Sequence, residues 1–258
     1  MLIDTHCHIN FEAFNKDYQK VVDEAMAKNM KLITVGSQIE TSRQALSIAH
    51  QYENVFASVG LHPTHLTDEE FIREEYLELA KDSKAVAIGE TGLDYYQLWA
   101  DTPEEENEIK ENQKELLKKQ IIISQELRKP LILHCRDAYN DLLNVLKKEK
   151  DLKAVVHCYL GNMKFAQNFL DLGLYLGFTG IITFSDDKEL IKVIEKMPLE
   201  RMFIETDAPY LSPEPYRGQR CRPVYVEEVA KKIAEIRGIS YQKVASQTTK
   251  NAEEFFRI

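Results

Sequence analysis

Eight short apolar segments, rich in β-branched residues, recur along this chain and are separated by amphipathic segments. Near-continuous apolar strands that alternate with helices are typical of a parallel sheet whose two faces are both covered by helices. Eight such units in 258 residues match the size of a (β/α)8 barrel. The predicted strands lie within residues 1–8, 31–37, 54–63, 84–94, 129–137, 153–159, 173–180 and 201–209.

The intervening segments have helical periodicity, most clearly in residues 17–30, 104–128 and 187–197. A doubly wound open sheet is the alternative fold. Such a sheet would usually have a glycine-rich phosphate loop after an early strand, and the sequence contains no G-x-G-x-x-G pattern. Without an internal repeat or a linker-like segment, we expect one α/β domain, a TIM barrel, over residues 1–258.

The acidic and aromatic segment 95–107 is predicted to be a loop over the barrel mouth. Its side chains Tyr95, Tyr96 and Trp99 would either stack on bases or serve as apolar cover for the barrel. Both interpretations stay open from the sequence.

The composition, 44% hydrophobic and 29% charged residues, is ordinary for a globular protein with a substantial core. No run of eighteen apolar residues and no signal-peptide pattern is present, so we expect a cytoplasmic protein without a membrane partner. The formal net charge of −9 argues against a general nucleic-acid binder with a broad basic surface. It does not exclude an anionic substrate, because bound divalent ions can make a site positive.

Two histidines separated by one residue end the first predicted strand, in the sequence D-T-H-C-H. Alternate side chains of a strand share a face, so His6 and His8 should point the same way, with Asp4 beneath them. Two adjacent imidazoles form half of a metal site. Taken alone, the pair could be a chance arrangement in a surface terminus.

The other strand ends favour the metal interpretation. Five of the seven histidines lie at the predicted carboxyl ends of strands, which in a barrel all open onto the face that holds the active site. Random placement would scatter histidines onto helices and loops as readily. The residues at these ends are His6, His8, His62, Glu90, Asp94, His134, Arg136, His157, Glu205 and Asp207.

The donor types limit the choice of metal. Four imidazoles and two carboxylates suit Zn, Mn, Fe or a related divalent ion, whereas calcium would take mostly oxygen ligands. Such a set can hold two ions, which together activate water and bind the oxygens of a phosphoester. Glu205 and Asp4 are expected to support these ligands or to be buried barrel residues paired to a neighbour.

Three of the four cysteines directly follow a histidine, and none forms a C-x-x-C pair. Because neighbouring strand residues face opposite sides, Cys7, Cys135 and Cys158 should point away from the histidine side chains. We expect them to be small buried hydrophobes, with zinc ligation as the lesser alternative. No disulfide is expected for a cytoplasmic protein.

Eight motifs, found in order along essentially the whole chain, together resemble the TatD family of metal-dependent deoxyribonucleases, within the amidohydrolase superfamily. They are DTHCH at 4–8, GLHP at 60–63, GETGLDYY at 89–96, HCRDA at 134–138, HCY at 157–159, GFTGIITF at 177–184, ETDAPYL at 205–211 and YRGQRCRP at 216–223.

The resemblance implies a TIM barrel with two divalent ions, of which Mg, Mn and Zn are the candidates. One ion would be held by His6, His8, Glu90 and Asp207, and the second by Glu90, His134 and His157. Glu90 would bridge the two ions, and Asp207 would be the general base that takes the proton of the attacking water. The implied activity is hydrolysis of phosphodiester bonds in DNA, as a 3′→5′ exonuclease on single strands.

Substrate contacts are assigned to four residues. The resemblance makes His62 a supporting or phosphate-contacting residue, and Arg136, at the end of the fifth predicted strand, is also assigned to substrate binding. Arg217 and Arg220 follow the eighth strand, where barrels of this type often bind phosphate. A solvated basic loop is the alternative for both. The family is expected to have Asn-acid-Pro where this chain has Cys221-Arg222-Pro223, so the role of Arg222 is open.

Two other functions remain possible from the sequence. The same metal core could hydrolyse a small ester, lactone, amide or aminoacyl-nucleotide bond, because a barrel does not determine its substrate. The acidic surface mildly favours a short substrate over long duplex DNA. A non-catalytic metal-binding scaffold is the third hypothesis, and it would bind metal without turnover. The mixed charge of the surface helices indicates no obvious interface, so we expect a monomer.

Overall fold

Eight parallel strands form a barrel in the computed structural model, which describes residues 1–98 and 100–258. Each strand pairs with the next in chain order, as a (β/α)8 barrel requires, and the open doubly wound alternative is excluded. The strands are β1 (Ile3–Cys7), β2 (Lys31–Val35), β3 (Val55–Val59), β4 (Ala85–Asp94), β5 (Leu131–Arg136), β6 (Ala154–Val156), β7 (Tyr175–Phe178) and β8 (Met202–Ile204).

Helices cover the outside of the barrel in the described part of the chain. The predicted helices 17–30, 104–128 and 187–197 are confirmed as the first, fourth and seventh. The α-helices are α1 (Tyr18–Ala27), α2 (Ile39–Ala49), α3 (Arg73–Ala80), α4 (Pro103–Leu127), α5 (Tyr139–Leu146), α6 (Met163–Asp171), α7 (Lys188–Lys196), α8 (Val226–Arg237) and α9 (Tyr241–Phe256). Single 3-10 turns lie at Glu12–Phe14, Pro63–His65, Gly180–Thr183, Leu199–Arg201 and Pro223–Tyr225.

The predicted loop 95–107 ends earlier than its composition suggested. Helix α4 begins at Pro103, because Thr102 caps it by accepting a hydrogen bond from the backbone N–H of Glu105, with proline at the first helical position. The expectation for Trp99 lies outside the described residues.

The barrel closes between its first and last strands through a buried carboxylate. Asp4 accepts hydrogen bonds from the backbone N–H of Thr206 at 2.9 Å and from its hydroxyl at 2.6 Å. The backbone continues the closure, since Asp207 N–H donates to the carbonyl of His6 at 2.8 Å. Burial raises the pKa of Asp4 well above its usual value, and these donors only partly oppose that rise. Closure brings the ends of β1 and β8 side by side.

The cysteine prediction is confirmed for Cys7 and Cys135 and wrong for Cys158. Cys7 and Cys135 are buried in the layer between strands and helices, and all four cysteines are free. Cys158 is only partly buried, with its Sγ 3.4 Å from the hydroxyl of Thr179. Strand β6 ends at Val156 and Cys158 has a left-handed backbone (φ +46°), so strand alternation no longer determines its direction.

Buried glutamines of α4 connect this helix to the carboxyl ends of β3 and β4. The Gln120 amide accepts from the Leu61 N–H at 2.9 Å and donates to the Leu61 carbonyl at 2.8 Å and the Thr91 hydroxyl at 2.6 Å. Gln113 similarly accepts from the N–H of Asp94 and donates to its carbonyl. These bonds satisfy strand-end backbone groups that water cannot reach.

Replacing Gln120 with Met should lower the free energy of unfolding by about 2–4 kcal/mol, because two buried backbone groups of Leu61 lose their partner. Urea unfolding followed by circular dichroism measures this loss. The matched control is Gln125→Met, an exposed glutamine of the same helix, for which we expect a change within about 0.5 kcal/mol. Equal effects of the two substitutions would show that the Gln120 hydrogen bonds do not stabilise the barrel.

In the described part of the chain, no helix combines the length and the hydrophobicity needed to span a membrane.

Candidate metal centre

The polar residues predicted at the strand ends converge at the carboxyl face of the barrel. They surround a cleft of about 200 Å³ whose lining includes Glu90, Asp207 and five histidines, one of which is His65, a residue to which the sequence assigned no role. His6 lies directly beneath it, fully buried. The residues brought together are His6, His8, His62, Glu90, His134, His157 and Asp207.

One group of donor atoms faces the ends of β1 and β8. The Nε2 atoms of His6 and His8 are 3.1 Å apart. Oε2 of Glu90 lies 3.4 and 3.7 Å from them, and Oδ1 of Asp207 lies 3.6 and 3.3 Å from them. Donors about 2.1 Å from a tetrahedral ion lie about 3.4 Å from one another. The spacing of these four atoms therefore fits a divalent ion at their centre.

The second carboxylate oxygen of Glu90 faces a different set of histidines. Its Oε1 atom lies 3.0 Å from Nδ1 of His134 and 3.6 Å from Nε2 of both His62 and His157. Glu90 thus presents one oxygen to each of two imidazole groups. This is the geometry that a bridging carboxylate between two ions requires.

His62 lies closer to this group than the resemblance implied. His62, Glu90 and His134 form a cluster whose donor atoms all lie within 4.8 Å of one another. His62 is therefore a further candidate ligand on the Oε1 side of Glu90, beside its predicted role in contacting substrate. The ring of His157 instead stacks on His6, with ring centroids 3.6 Å apart.

Three of the imidazole rings are oriented by hydrogen bonds of the ring nitrogen that does not face Glu90 or Asp207. His157 Nδ1 is 2.9 Å from Oε1 of Glu205, and His134 Nε2 is 2.9 Å from Oδ2 of Asp94. His8 Nδ1 is 2.9 Å from the carbonyl oxygen of Val35. Partners of this kind set the tautomer and orientation of metal-binding histidines. The expectation that Glu205 supports the ligands agrees with its contact.

Gly177 leaves the space that the Glu205 carboxylate occupies. A Cβ atom at position 177 would lie 2.5 Å from Oε2 of Glu205. A side chain there would displace the carboxylate that orients His157. The small residue on β7 thus contributes to the site without touching it.

The surrounding imidazoles keep the central carboxylates ionised. Burial alone would raise the pKa of Glu90, but His62 and His6 are among the histidines that hold it well below its usual value. Asp207 behaves likewise: burial opposes ionisation, and the hydrogen bond with His8 and the charge of His157 keep its pKa low. Ionised carboxylates and imidazoles together are what a divalent ion needs.

The pKa values of His62 and His157 are shifted in opposite directions. Burial, reinforced by the neighbouring His134, lowers the pKa of His62 to about 3. Burial also opposes protonation of His157, but Glu205 and Glu90 outweigh it and raise the pKa of His157 to about 10. As a metal ligand, His62 would already be a neutral imidazole, whereas His157 would first have to lose a proton.

Comparison with known proteins places this centre in a family. The family described as TatD related DNase matches residues 3–257. The chain belongs to the TatD family. It is 37% identical to the uncharacterized metal-dependent hydrolase YabD of Bacillus subtilis, over the whole of both chains. It is 32% identical to a protein of Klebsiella pneumoniae named 3′-5′ ssDNA/RNA exonuclease TatD, covering all of this chain and 98% of that one.

The barrel is also similar to a solved TatD structure. The crystal structure of YJJV, a TatD homologue of Escherichia coli K12, superposes with a TM-score of 0.87 at 30% identity, covering 100% of this chain and 98% of that one. Family, relatives and fold agree that the chain is a TatD-family metal-dependent hydrolase. The resemblance noted from the sequence motifs is confirmed.

Two of the predicted substrate-binding arginines of this TatD protein border the catalytic face. The guanidinium of Arg136 lies over the ring of Tyr96, 3.4 Å from its centroid. Arg217 donates to the carbonyl of Ser212 at 2.9 Å and lies over the ring of Phe184. Neither arginine is among the residues lining the metal cleft. Their contacts with a substrate remain predictions.

Arg220 and Arg222, which follow Arg217 in the loop after β8, have carboxylate partners. Arg220 forms a two-pronged ion pair with Asp17, at 2.6 and 2.9 Å. Arg222 is paired with Glu24 at 2.7 Å. A phosphate group would have to share or displace Asp17 to reach Arg220. The substrate contact assigned to Arg220 stays a prediction, and Arg222 has a structural partner.

Sequence reasoning missed several residues of the cleft wall. Phe11 stacks on the ring of His8, with centroids 4.2 Å apart, and Ser37 and Tyr210 also line the cleft. Phe11 and Tyr210 lie only three residues beyond His8 and Asp207, so proximity to a predicted ligand is the signal that could have found them. Ser37 follows β2, a strand end without histidine or carboxylate.

Metal loading of this TatD centre should release protons at pH 7. The pKa of His157 near 10 means that its imidazole is protonated before metal binds, and a ligand must be neutral. Apparent affinity for Mn should therefore fall as the pH falls from 8 to 6. Calorimetric titration in buffers with different ionisation enthalpies measures the release, with the exposed His50→Asn variant as control. A heat independent of the buffer would contradict this prediction.

Proposed function

We propose that this protein is a two-ion deoxyribonuclease that removes nucleotides from the 3′ end of single-stranded DNA. The observation that supports this most directly is the arrangement around Glu90, whose two oxygens face two separate imidazole groups. The name of the Klebsiella pneumoniae relative supports the polarity and the single-stranded substrate. His6, His8, Glu90 and Asp207 would hold one ion, and Glu90, His134 and His157 the other, with Mg, Mn or Zn as candidates.

The chain's own residues have separate tasks in this reaction. When bound, the divalent ions supply charge neutralisation and a lowered pKa for water. The Asp207 carboxylate accepts the proton of the attacking water, and its low pKa keeps it ionised for this task. Glu90 holds the two halves of the centre in register. His62, with a neutral imidazole, is available to donate a hydrogen bond to a phosphate oxygen.

A neighbouring cleft offers space for the rest of a DNA strand. It has a volume of about 340 Å³ and meets the metal cleft at Thr64, which lines both. Its lining includes Tyr96, Arg136 and apolar side chains such as Leu66. Because Arg136 covers one face of the Tyr96 ring, a base would stack on the other face while the guanidinium binds the adjacent phosphate. We therefore place the nucleotide next to the scissile bond in this cleft.

The experiment that tests the proposal is digestion of a 5′-labelled single-stranded oligonucleotide by the Mn-loaded protein, beside a matched duplex. We expect a ladder that shortens from the 3′ end, with the single strand degraded faster. Esters, lactones, amides and aminoacyl nucleotides form the comparison panel. Turnover of one of these without DNA degradation would replace the nuclease proposal with the small-substrate hydrolase. Bound metal without turnover of any substrate would leave only the scaffold.

A further inference from the structure

The opposite end of the barrel has a separate cleft that is lined mainly by cationic side chains. It lies where β5 and β6 begin, and its volume is about 490 Å³, which is in the size range of small-molecule sites. Asp151 is the single carboxylate among its lining residues. The cations that line it are Arg128, Lys129, Lys150, Lys153 and Arg257.

None of these five cations forms an ion pair with a carboxylate in the described part of the chain. Fourteen other lysines and arginines do so. Only the more distant charges of Asp82 and Glu254 oppose those of Lys129 and Lys153. A cluster of cations without direct ion-pair partners is unexpected in a chain with a net charge of −9. Like charges that converge without a partner repel one another, and a bound anion would remove that cost.

Two of the cations are anchored at the cleft by backbone carbonyl groups. Lys129 Nζ donates to the carbonyls of Ala80 and Asp82, and Lys153 Nζ donates to those of Glu254 and Phe255. Neither ammonium group is balanced by a hydrogen-bonded carboxylate. Their positive charge is therefore held in place beside the cleft.

The remaining three cations are available to a ligand. Arg128, Lys150 and Arg257 are exposed, and their side chains form no hydrogen bond with another described residue. Arg128 and Arg257 follow α4 and α9 with left-handed backbones (φ +51° and +59°), where glycine is usual. Two guanidinium forks and an ammonium group match several phosphate oxygens at once.

We propose that this cleft binds an oligophosphate anion, either free or as the phosphate chain of a nucleotide. The cleft is lined by five cations and one carboxylate, which is more positive charge than a single phosphate group would balance. The cations surround one cleft of limited size, which favours a compact ligand over a long nucleic-acid backbone. The inference is independent of the metal centre and of its proposed activity.

Calorimetric titration of the metal-loaded protein with inorganic triphosphate tests this proposal. Excess Mg in the buffer keeps the titrant from stripping the metal centre. We expect saturable binding, and a loss of affinity of about tenfold or more in the Arg128→Gln/Arg257→Gln variant, since two charge-assisted contacts are removed. The charge-matched control Lys192→Gln/Lys196→Gln, two exposed lysines of α7, should bind like the wild type.

Further titrations distinguish a free oligophosphate from a nucleotide and test the alternative explanations. Equal affinity for triphosphate and ATP would support recognition of phosphate alone, tighter binding of ATP would support a nucleotide, and adenosine should not bind. Lys150→Gln, a single exposed change, should weaken binding and guards against misfolding of the double variant, whose Tm is measured alongside.

Absence of binding would show that the cations only compensate helix carboxyl ends. Unchanged affinity in both the arginine variant and Lys150→Gln would show that the anion binds outside this cleft. Either result overturns the proposal.

Discussion

Replacing Glu90 with Gln is expected to lower the rate of oligonucleotide hydrolysis by about 10³-fold or more, a loss of about 4 kcal/mol of transition-state stabilisation. Glu90 is buried, and its two oxygens lie within 3.7 Å of five imidazole nitrogens. An amide supplies one oxygen at most and no negative charge. The two halves of the centre would lose their shared ligand.

The Glu90→Gln rate is measured with the Mn-loaded protein on end-labelled single strands, together with its metal content. We expect less than the wild-type amount of bound metal as well as the lost rate. Glu12→Gln is the matched control, because Glu12 is an exposed residue near the rim of the same face. A Glu90→Gln protein that retained most of its rate would show that the carboxylate does not join two ions.

Replacing Asp207 with Asn is expected to lower kcat by about 10²–10⁴-fold, the usual contribution of a general base. Asparagine keeps an oxygen that can ligate an ion, and it tolerates the left-handed backbone at this position (φ +59°). The variant should therefore retain much of its metal and still fail to accept the proton of water. This separation of metal content from rate distinguishes Asp207 from Glu90.

The Asp207→Asn measurement combines kcat, KM and metal analysis on one preparation. We expect KM for the oligonucleotide to change little, because the lost step is proton transfer. Asp186→Asn, an exposed aspartate in the loop before α7, is the control. A wild-type kcat in the Asp207 variant would remove the general-base role and transfer it to another residue of the cleft.

The convergence of the strand-end residues could be predicted from the sequence because it depends only on the geometry of the barrel. Whatever their separation in the chain, residues that end parallel strands of a closed barrel meet on one face. His8, Glu90, His134 and Asp207 met in this way. The sequence pattern therefore predicted both the fold and the convergence of these side chains on one face.

Other features depended on contacts that no local pattern contains. Gln120 lies in a helix rich in Lys and Glu, and nothing in its neighbours distinguishes it from an exposed glutamine such as Gln125. Cys158 departed from strand alternation because its strand ends two residues earlier. The partner of Arg220 is Asp17, which is 203 residues away in the chain. Pairings of this kind require the folded structure.

The most direct test of this account is the anomalous difference map of a crystal of the Mn-loaded protein. The account predicts two Mn peaks about 3.5–4 Å apart. One should lie beside His6 and His8, the other beside His134, with the Glu90 carboxylate between them. A single peak, or a pair that does not share Glu90, would contradict the two-ion centre on which the proposed nuclease depends.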